Sequence, residues 1–201
     1  KYHDHIRNVL LSRPHLWDDV YATHTMHILR HHIAHYLGIS DPMDLVFTIN
    51  TSFGLNAIIR SIMDHFLAQH AKHDMSDYSV IYFNTNHASY SSVLKYYQQL
   101  FNLSLIEIQF DEETLQNYDL ILSSINETLH AAVSEPAHVI FAVFSHITSL
   151  PSLILPVKEI SALFRQHGIL TVVDGAHAMG QIYNLNITDL QCDIYISNAY
   201  K

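Results

Sequence analysis

Apolar positions along the chain follow two alternating patterns. Over 21–37, YATHTMHILRHHIAHYL, the residues Met26, Leu29, Ile33, Tyr36 and Leu37 recur at helical spacing, and Gly38 is placed to stop that helix. Over 54–71, Leu55, Ile58, Ile59, Ile62, Phe66 and Leu67 make one face of a second helix. Between them DLVFTI, 44–49, is a short apolar run that predicts a buried strand. SVIYFN (79–84), SLIEIQF (104–110), HVIFAVF (138–144), ILTVVD (169–174) and DIYIS (193–197) are apolar and β-branched, as in strands covered on both faces. Helical segments are expected between them, over 89–101, 112–124, 126–134 and the run after Pro156 that closes at Gly168. This alternation predicts an α/β domain of three layers, α/β/α, around a mostly parallel sheet. Residues 1–20 read as an N-terminal arm or small-domain segment, and 21–201 as one large domain.

Composition narrows the function classes. Hydrophobic residues are 49% of the 201, enough for a sizeable core. Charged residues are only 14%, and 17 histidines replace part of the missing polarity. The net charge of −9 argues against a nucleic-acid or anionic-membrane partner. No run of about 18 uncharged apolar residues is present, so no membrane span is expected. The single cysteine, Cys192, leaves no internal disulfide and fits a reducing compartment, so the cytoplasm is expected. The chain starts at Lys1 rather than methionine and stops at Lys201, and is expected to be a piece of a longer protein, its large domain truncated at the C-terminus.

Candidate chemistry gathers at strand ends, where open α/β sheets receive ligands. Asp174 ends one expected strand, and Ser145 and His146 end another. Asn50, Thr51, Ser52, Phe53 and Gly54 join a strand to a helix start. His87 and Tyr90 follow a strand, and Ser197, Asn198 and Lys201 follow the last. No nucleoside-triphosphate loop and no dinucleotide fingerprint is present. Asp174, His177 and His146 are conceivable metal ligands, as in a metal hydrolase. His24, His27, His31, His32 and His35 crowd one helix, with His27 and His31 at i,i+4. No HExxH or paired-cysteine pattern accompanies them, so they read as surface or packing residues and no metal is expected.

The segment VFSHITSLPSLILPVKEISALFRQHGILTVVDGAHAMGQI, with VFTINTSFGLNAIIRSI at 46–62 and the spacing of DGAHAMG to Lys201, resembles the class V aminotransferase group of pyridoxal-phosphate (PLP) enzymes. Cysteine desulfurases, selenocysteine lyases and isopenicillin-N-epimerase-like proteins belong to that group, and the epimerase-like branch is the closer likeness. The likeness covers most of 20–201. It implies a fold-type-I PLP large domain, a homodimer in the full-length form, and an amino-acid substrate that is epimerised or undergoes C–S or β-elimination.

The resemblance also implies roles. Asp174 matches the aspartate that pairs with the pyridinium nitrogen; read alone, it is a turn or cap residue. His177 matches a residue near the ring's 3′-oxygen; read alone, it is a core-edge histidine. Lys201 matches the lysine that forms the Schiff base and shuttles the α-proton; read alone, it is a solvated lysine. Thr51, Ser52, Phe53 and the backbone to Gly54 match the phosphate cup, although relatives carry a small polar residue where Phe53 stands. Either His87 or Tyr90 supplies a flat ring over the cofactor. Ser145, His146, Thr148 and Ser149 match a segment lining the site, and Asn198 lies on the approach to the lysine.

Two departures stand out. Tyr200 replaces a histidine that contacts phosphate in this branch, and Pro151-Ser152 replaces a glycine-containing pair. Tyr200, with the expected missing C-terminal half, motivates an alternative reading, a non-catalytic homologue acting as a binding or structural protein. Cys192 precedes a core strand and reads as structural rather than as a desulfurase nucleophile.

Overall fold

The computed structural model describes residues 2–70, 74–134 and 138–199. Two compact units divide the chain, 1–47 and 48–201. This division falls later than the boundary expected after residue 20, so the helix expected over 21–37 belongs to the first unit.

The first unit is helical. Helix α1 (Tyr2–Ser12) and the short α2 (Pro14–Leu16) lead through a π-helical turn (Trp17–Ala22) into α3 (Thr23–Tyr36). Gly38 at φ 65° ends α3, in the left-handed region that glycine enters without a Cβ penalty. The strand expected at 44–49 does not form. A 3₁₀ turn (Pro42–Asp44) is followed by unpaired chain in which Val46 and Ile49 are 77% and 79% exposed. An apolar run shows that a strand is affordable; it does not supply the neighbour whose hydrogen bonds would make one.

The second unit contains helix α4 (Thr51–His70), strand β1 (Tyr78–Phe83), α5 (Ala88–Phe101), β2 (Ser104–Ile108), α6 (Glu112–Leu115), α7 (Tyr118–Ser134), β3 (His138–Ser145), α8 (Val157–Gln166), β4 (Leu170–Gly175), α9 (Ile187–Leu190) and β5 (Ile194–Ser197). The five strands form one parallel sheet in the order β2-β1-β3-β4-β5. The two helices expected over 112–134 divide at Gln116–Asn117, not near 125. The Asp111 carboxylate caps α6 by accepting from Thr114 N (2.8 Å), and Asn117 accepts from Asp119 N (2.9 Å) to start α7.

Strand alternation sorts the core into two layers. Val80, Phe141, Val143, Val172 and Ile196 pack with Leu55, Ile59 and Met63 of α4 and Tyr90, Leu94 and Tyr97 of α5. Ile81, Phe83, Ala142, Phe144 and Val173 pack on the other face with Ile121, Ile125 and Leu129 of α7 and Val157, Ile160 and Phe164 of α8. The unit is therefore the three-layer α/β/α sandwich expected from the alternation. The start of β5 is locked to β4 by Asp193, whose Oδ2 accepts from both Thr171 N and Thr171 Oγ1 at 2.8 Å.

Candidate functional site

In this strand order β1 is the switch point, with β2 on one side and β3 on the other. The crevice beyond the carboxyl ends of such a pair is where α/β sheets receive ligands. Two side-chain bonds span it. Asn86 Nδ2 donates to Val143 O at 2.9 Å, and Tyr90 Oη shares a 3.1 Å hydrogen bond with Ser145 Oγ. Burial above all pushes the Tyr90 phenol well above its ordinary value; the Ser145 bond opposes this, and the Asp174 charge adds to it.

Asp174 lies beside Ser145 in the β3–β4 register and beside Ile196 in the β4–β5 register. It is only 7% exposed, and its Oδ1 accepts from Ala176 N at 2.9 Å. A buried carboxylate requires such partners. His177 is half-buried in the turn that follows β4.

Asn50 caps the start of α4. Asn50 Oδ1 accepts from Phe53 N (2.8 Å), and Asn50 O accepts from Gly54 N (3.0 Å). The amides of Thr51 and Ser52 precede any intrahelical partner and point out at the positive end of the helix. Thr51 is buried, and its Oγ1 accepts from Asn198 Nδ2 at 3.1 Å. A hydroxyl that accepts one bond still has a hydrogen to donate. Asn198 follows β5 by one residue, so this bond brings the helix start to the sheet end that carries Asp174. Phe53, by contrast, is 54% exposed on the first turn.

Several expected site residues are not brought together. His146 Nδ1 shares a 2.8 Å hydrogen bond with Tyr195 Oη, and Tyr195 packs with the α7–α8 layer, away from Tyr90 and Ser145. The buried Thr148 hydroxyl serves its own loop, accepting from Leu153 N (3.0 Å) and donating to Pro151 O. Ser149 is exposed. Tyr200 and Lys201 lie outside the described residues. Tyr90 is 0% exposed, so protein covers both its faces, whereas His87 is exposed.

The metal reading finds no support. With His146 turned away, Asp174, His177 and His146 do not converge, and among the described residues no group of three His, Cys, Asp or Glu side chains is placed to hold an ion. The His27 and His31 rings meet edge to face at 4.6 Å on the exposed surface of α3. No helix among the described residues is long and apolar enough to cross a membrane.

Sequence reasoning missed Asn86 and Tyr195, and named Asn50 only as part of the join before the helix, without its bonds to Phe53 N and Gly54 N. Asn50 was legible from the preference of asparagine for helix starts. Asn86 and its neighbour Thr85 carry buried atoms, Asn86 Oδ1 and Thr85 Oγ1, without a hydrogen-bond partner among the described residues. Tyr195 carried no signal, because an aromatic in a strand reads as core.

The second unit is thus a parallel α/β/α sandwich with a buried acid at one strand end and a helix start beside it. The chain belongs to the class-V aminotransferase family, whose model matches residues 2–201. It is 38% identical over 84 residues to putative L-cysteine desulfhydrase 1 of Oryza sativa subsp. japonica, covering 41% of this chain and 17% of that one. It is 45% identical over 58 residues to isopenicillin N epimerase of Streptomyces clavuligerus, covering 29% and 14%. Its fold is that of a solved C-DES variant with glycine covalently linked to the PLP cofactor (TM-score 0.75, 15% identity, covering 97% of this chain and 47% of that one). The chain spans less than half the length of each of these proteins.

Proposed function

We propose that this chain carries the PLP-binding layer of an enzyme that acts on an amino acid, by C–S or β-elimination or by epimerisation at the α-carbon. One observation supports this most. The Asn198–Thr51 bond joins an anion-ready helix start to the strand end where Asp174 is buried, so acid and anion subsites share one crevice. The residues fit the cofactor. Its phosphate suits the Thr51 and Ser52 amides and hydroxyls, and its ring nitrogen suits the Asp174 carboxylate. His177 and Ser145 lie beside the acid in sequence or register.

When bound, PLP supplies an electron sink for negative charge at the substrate α-carbon. The chain's own residues do the rest. Asp174 holds a proton on the ring nitrogen by ion pairing. The Thr51 and Ser52 amides and hydroxyls at the α4 start would hold the phosphate. His87 is the ring best placed to cover the cofactor, and Tyr90 is wall. Lys201 tethers the cofactor and takes the α-proton at Nζ. We further propose a homodimer in the full-length protein and, from the lone Cys192, a cytoplasmic setting. The relatives matched carry enzyme names, which gives the non-catalytic reading no support.

The test uses the full-length protein. It is mixed with PLP, its absorption spectrum recorded, and the complex reduced with borohydride and mapped by mass spectrometry. A pyridoxyl group on Lys201 is expected. Release of sulfide from L-cysteine then marks elimination, and solvent deuterium at the α-carbon without sulfide marks epimerisation. A folded protein with no spectral change and no adduct overturns the proposal.

A further inference from the structure

Gly175 raises a question of its own. Its φ is outside the left-handed region, so conformation does not demand glycine there. Space does. A Cβ on Gly175 would lie 2.3 Å from Cε1, Cζ and Oη of Tyr195. Tyr195 sits opposite Val173 in the β4–β5 register, and its ring leans along the strand to lie against the Gly175 backbone. Its hydroxyl then meets His146 Nδ1 at 2.8 Å, with the two rings edge to face at 5.8 Å. His146 closes the circuit through its backbone, donating from N to Asp174 O at 2.9 Å. On the strand edge Ser197 Oγ donates to Gly175 O at 2.8 Å. Gly175 thus has an aromatic ring against its backbone, His146 holding the peptide before it at Asp174 O and Ser197 holding the peptide after it at Gly175 O.

We propose that Tyr195 is a positioning residue for Asp174, acting through His146 and Gly175 from the sheet face opposite the cofactor crevice. This rests on the PLP reading for its chemistry, though the clamp itself is a property of the chain. The Asp174 side chain projects from a peptide unit only a few atoms long, so a small rotation of that unit swings the carboxylate. A ring-nitrogen ion pair is sensitive to such a movement. Burial keeps the His146 imidazole neutral at pH 7, lowering it to about 4. The bond to Tyr195 is therefore a neutral one that fixes geometry without adding charge.

The experiment compares wild type, Tyr195→Phe, His146→Ala and the double variant, first without cofactor. Amide hydrogen exchange at Ala176 in each single variant, and at His146 in Tyr195→Phe, should accelerate about tenfold, with Val172 in the strand centre unchanged. The double variant should be no faster than either single one, because both remove the same bond. With PLP, each variant should bind about tenfold more weakly, and the pH titration of the bound cofactor's absorption should move in the direction produced by Asp174→Asn. Unchanged exchange at His146 and Ala176, or additive effects in the double variant, overturns the clamp. Accelerated exchange with a cofactor titration identical to wild type shows that the clamp does not position Asp174, and also overturns the inference. Failure of wild type to take PLP removes the cofactor reading instead, while the exchange measurements still decide the clamp.

Discussion

The Tyr90 hydroxyl sits 3.1 Å from the Ser145 hydroxyl, joining the first turn of α5 to the end of β3 across the switch point of the sheet. Tyr90 is 0% exposed, so its ring is part of the crevice wall and offers no face to a ligand. His87, three residues earlier and exposed, has a face to offer. The two residues should therefore separate under mutation. Tyr90→Phe should lower unfolding free energy by about 1 kcal/mol, the worth of one buried hydrogen bond. It should leave PLP affinity nearly unchanged. His87→Ala should leave stability within about 0.5 kcal/mol of wild type. It should weaken PLP binding by roughly three- to tenfold, the range for one stacked ring. Urea unfolding and spectrophotometric PLP titration measure the two quantities; the reverse pattern would return the stacking role to Tyr90.

His146 makes a pH prediction of definite sign. Burial lowers it from an ordinary 6.5 to about 4. Between those values the unfolded chain binds a proton that the folded chain refuses, so folding weakens as pH falls. The contribution is fully present above pH 6.5 and is lost progressively towards pH 4. Its size is about 3 kcal/mol over that window. Sixteen other histidines also titrate in the unfolded chain, so the quantity to measure is a difference. The stability gap between wild type and His146→Gln should narrow by about 2 kcal/mol between pH 7 and pH 4.5, followed by urea midpoints. A gap independent of pH would show that His146 titrates alike in the folded and unfolded chain, so that burial does not lower it.

The layers of this fold were legible because each strand had both a pattern and a partner. Val80, Phe141, Val143 and Val172 alternate with Ile81, Ala142, Phe144 and Val173, and each set found its own helix pair. The run at 44–49 had the pattern without the partner, and stayed unpaired. Asp174 and the α4 start were legible as polar residues at apolar run ends, and the structure adds the Asn198–Thr51 bond that brings them to one place. The role of His146 was not legible. Its neighbour Ser145 faces the crevice, and one step along a strand reverses the face. The direction of a residue just past a strand end depends on a partner nearly fifty residues away, Tyr195, that no local pattern announces.

Gly175→Ala tests the space beneath Asp174 directly. The added methyl would meet two ring atoms of Tyr195 and its hydroxyl oxygen at 2.3 Å, closer than real contacts allow. The ring must move, and it is held by the His146 bond, so the cost should reach the upper part of the overpacking range, about 3 kcal/mol. Combining it with Tyr195→Leu should recover most of that loss, since a branched aliphatic leaves room above the Gly175 position. Denaturant midpoints of the two single variants and the double variant measure this. A double variant as unstable as the sum of its parts would mean that the glycine is required for another reason.

The anion subsite separates from the ring subsite through the choice of ligand. Thr51 keeps a hydroxyl hydrogen to donate after accepting from Asn198 Nδ2, and the α4 start presents the Thr51 and Ser52 amides beside it. Thr51→Val keeps the shape and the amides while deleting the hydroxyl. It should weaken PLP binding by roughly tenfold, the worth of about 1.4 kcal/mol for a hydrogen bond to a charged acceptor. Pyridoxal, which has the same ring without the phosphate, should bind wild type and Thr51→Val equally. Asn198→Ala, which removes the amide donating to that hydroxyl, should give a smaller loss of the same kind. The discriminating number is the ratio of PLP to pyridoxal affinity, measured by competition in each variant. A ratio that does not fall in Thr51→Val would move the phosphate away from the start of α4.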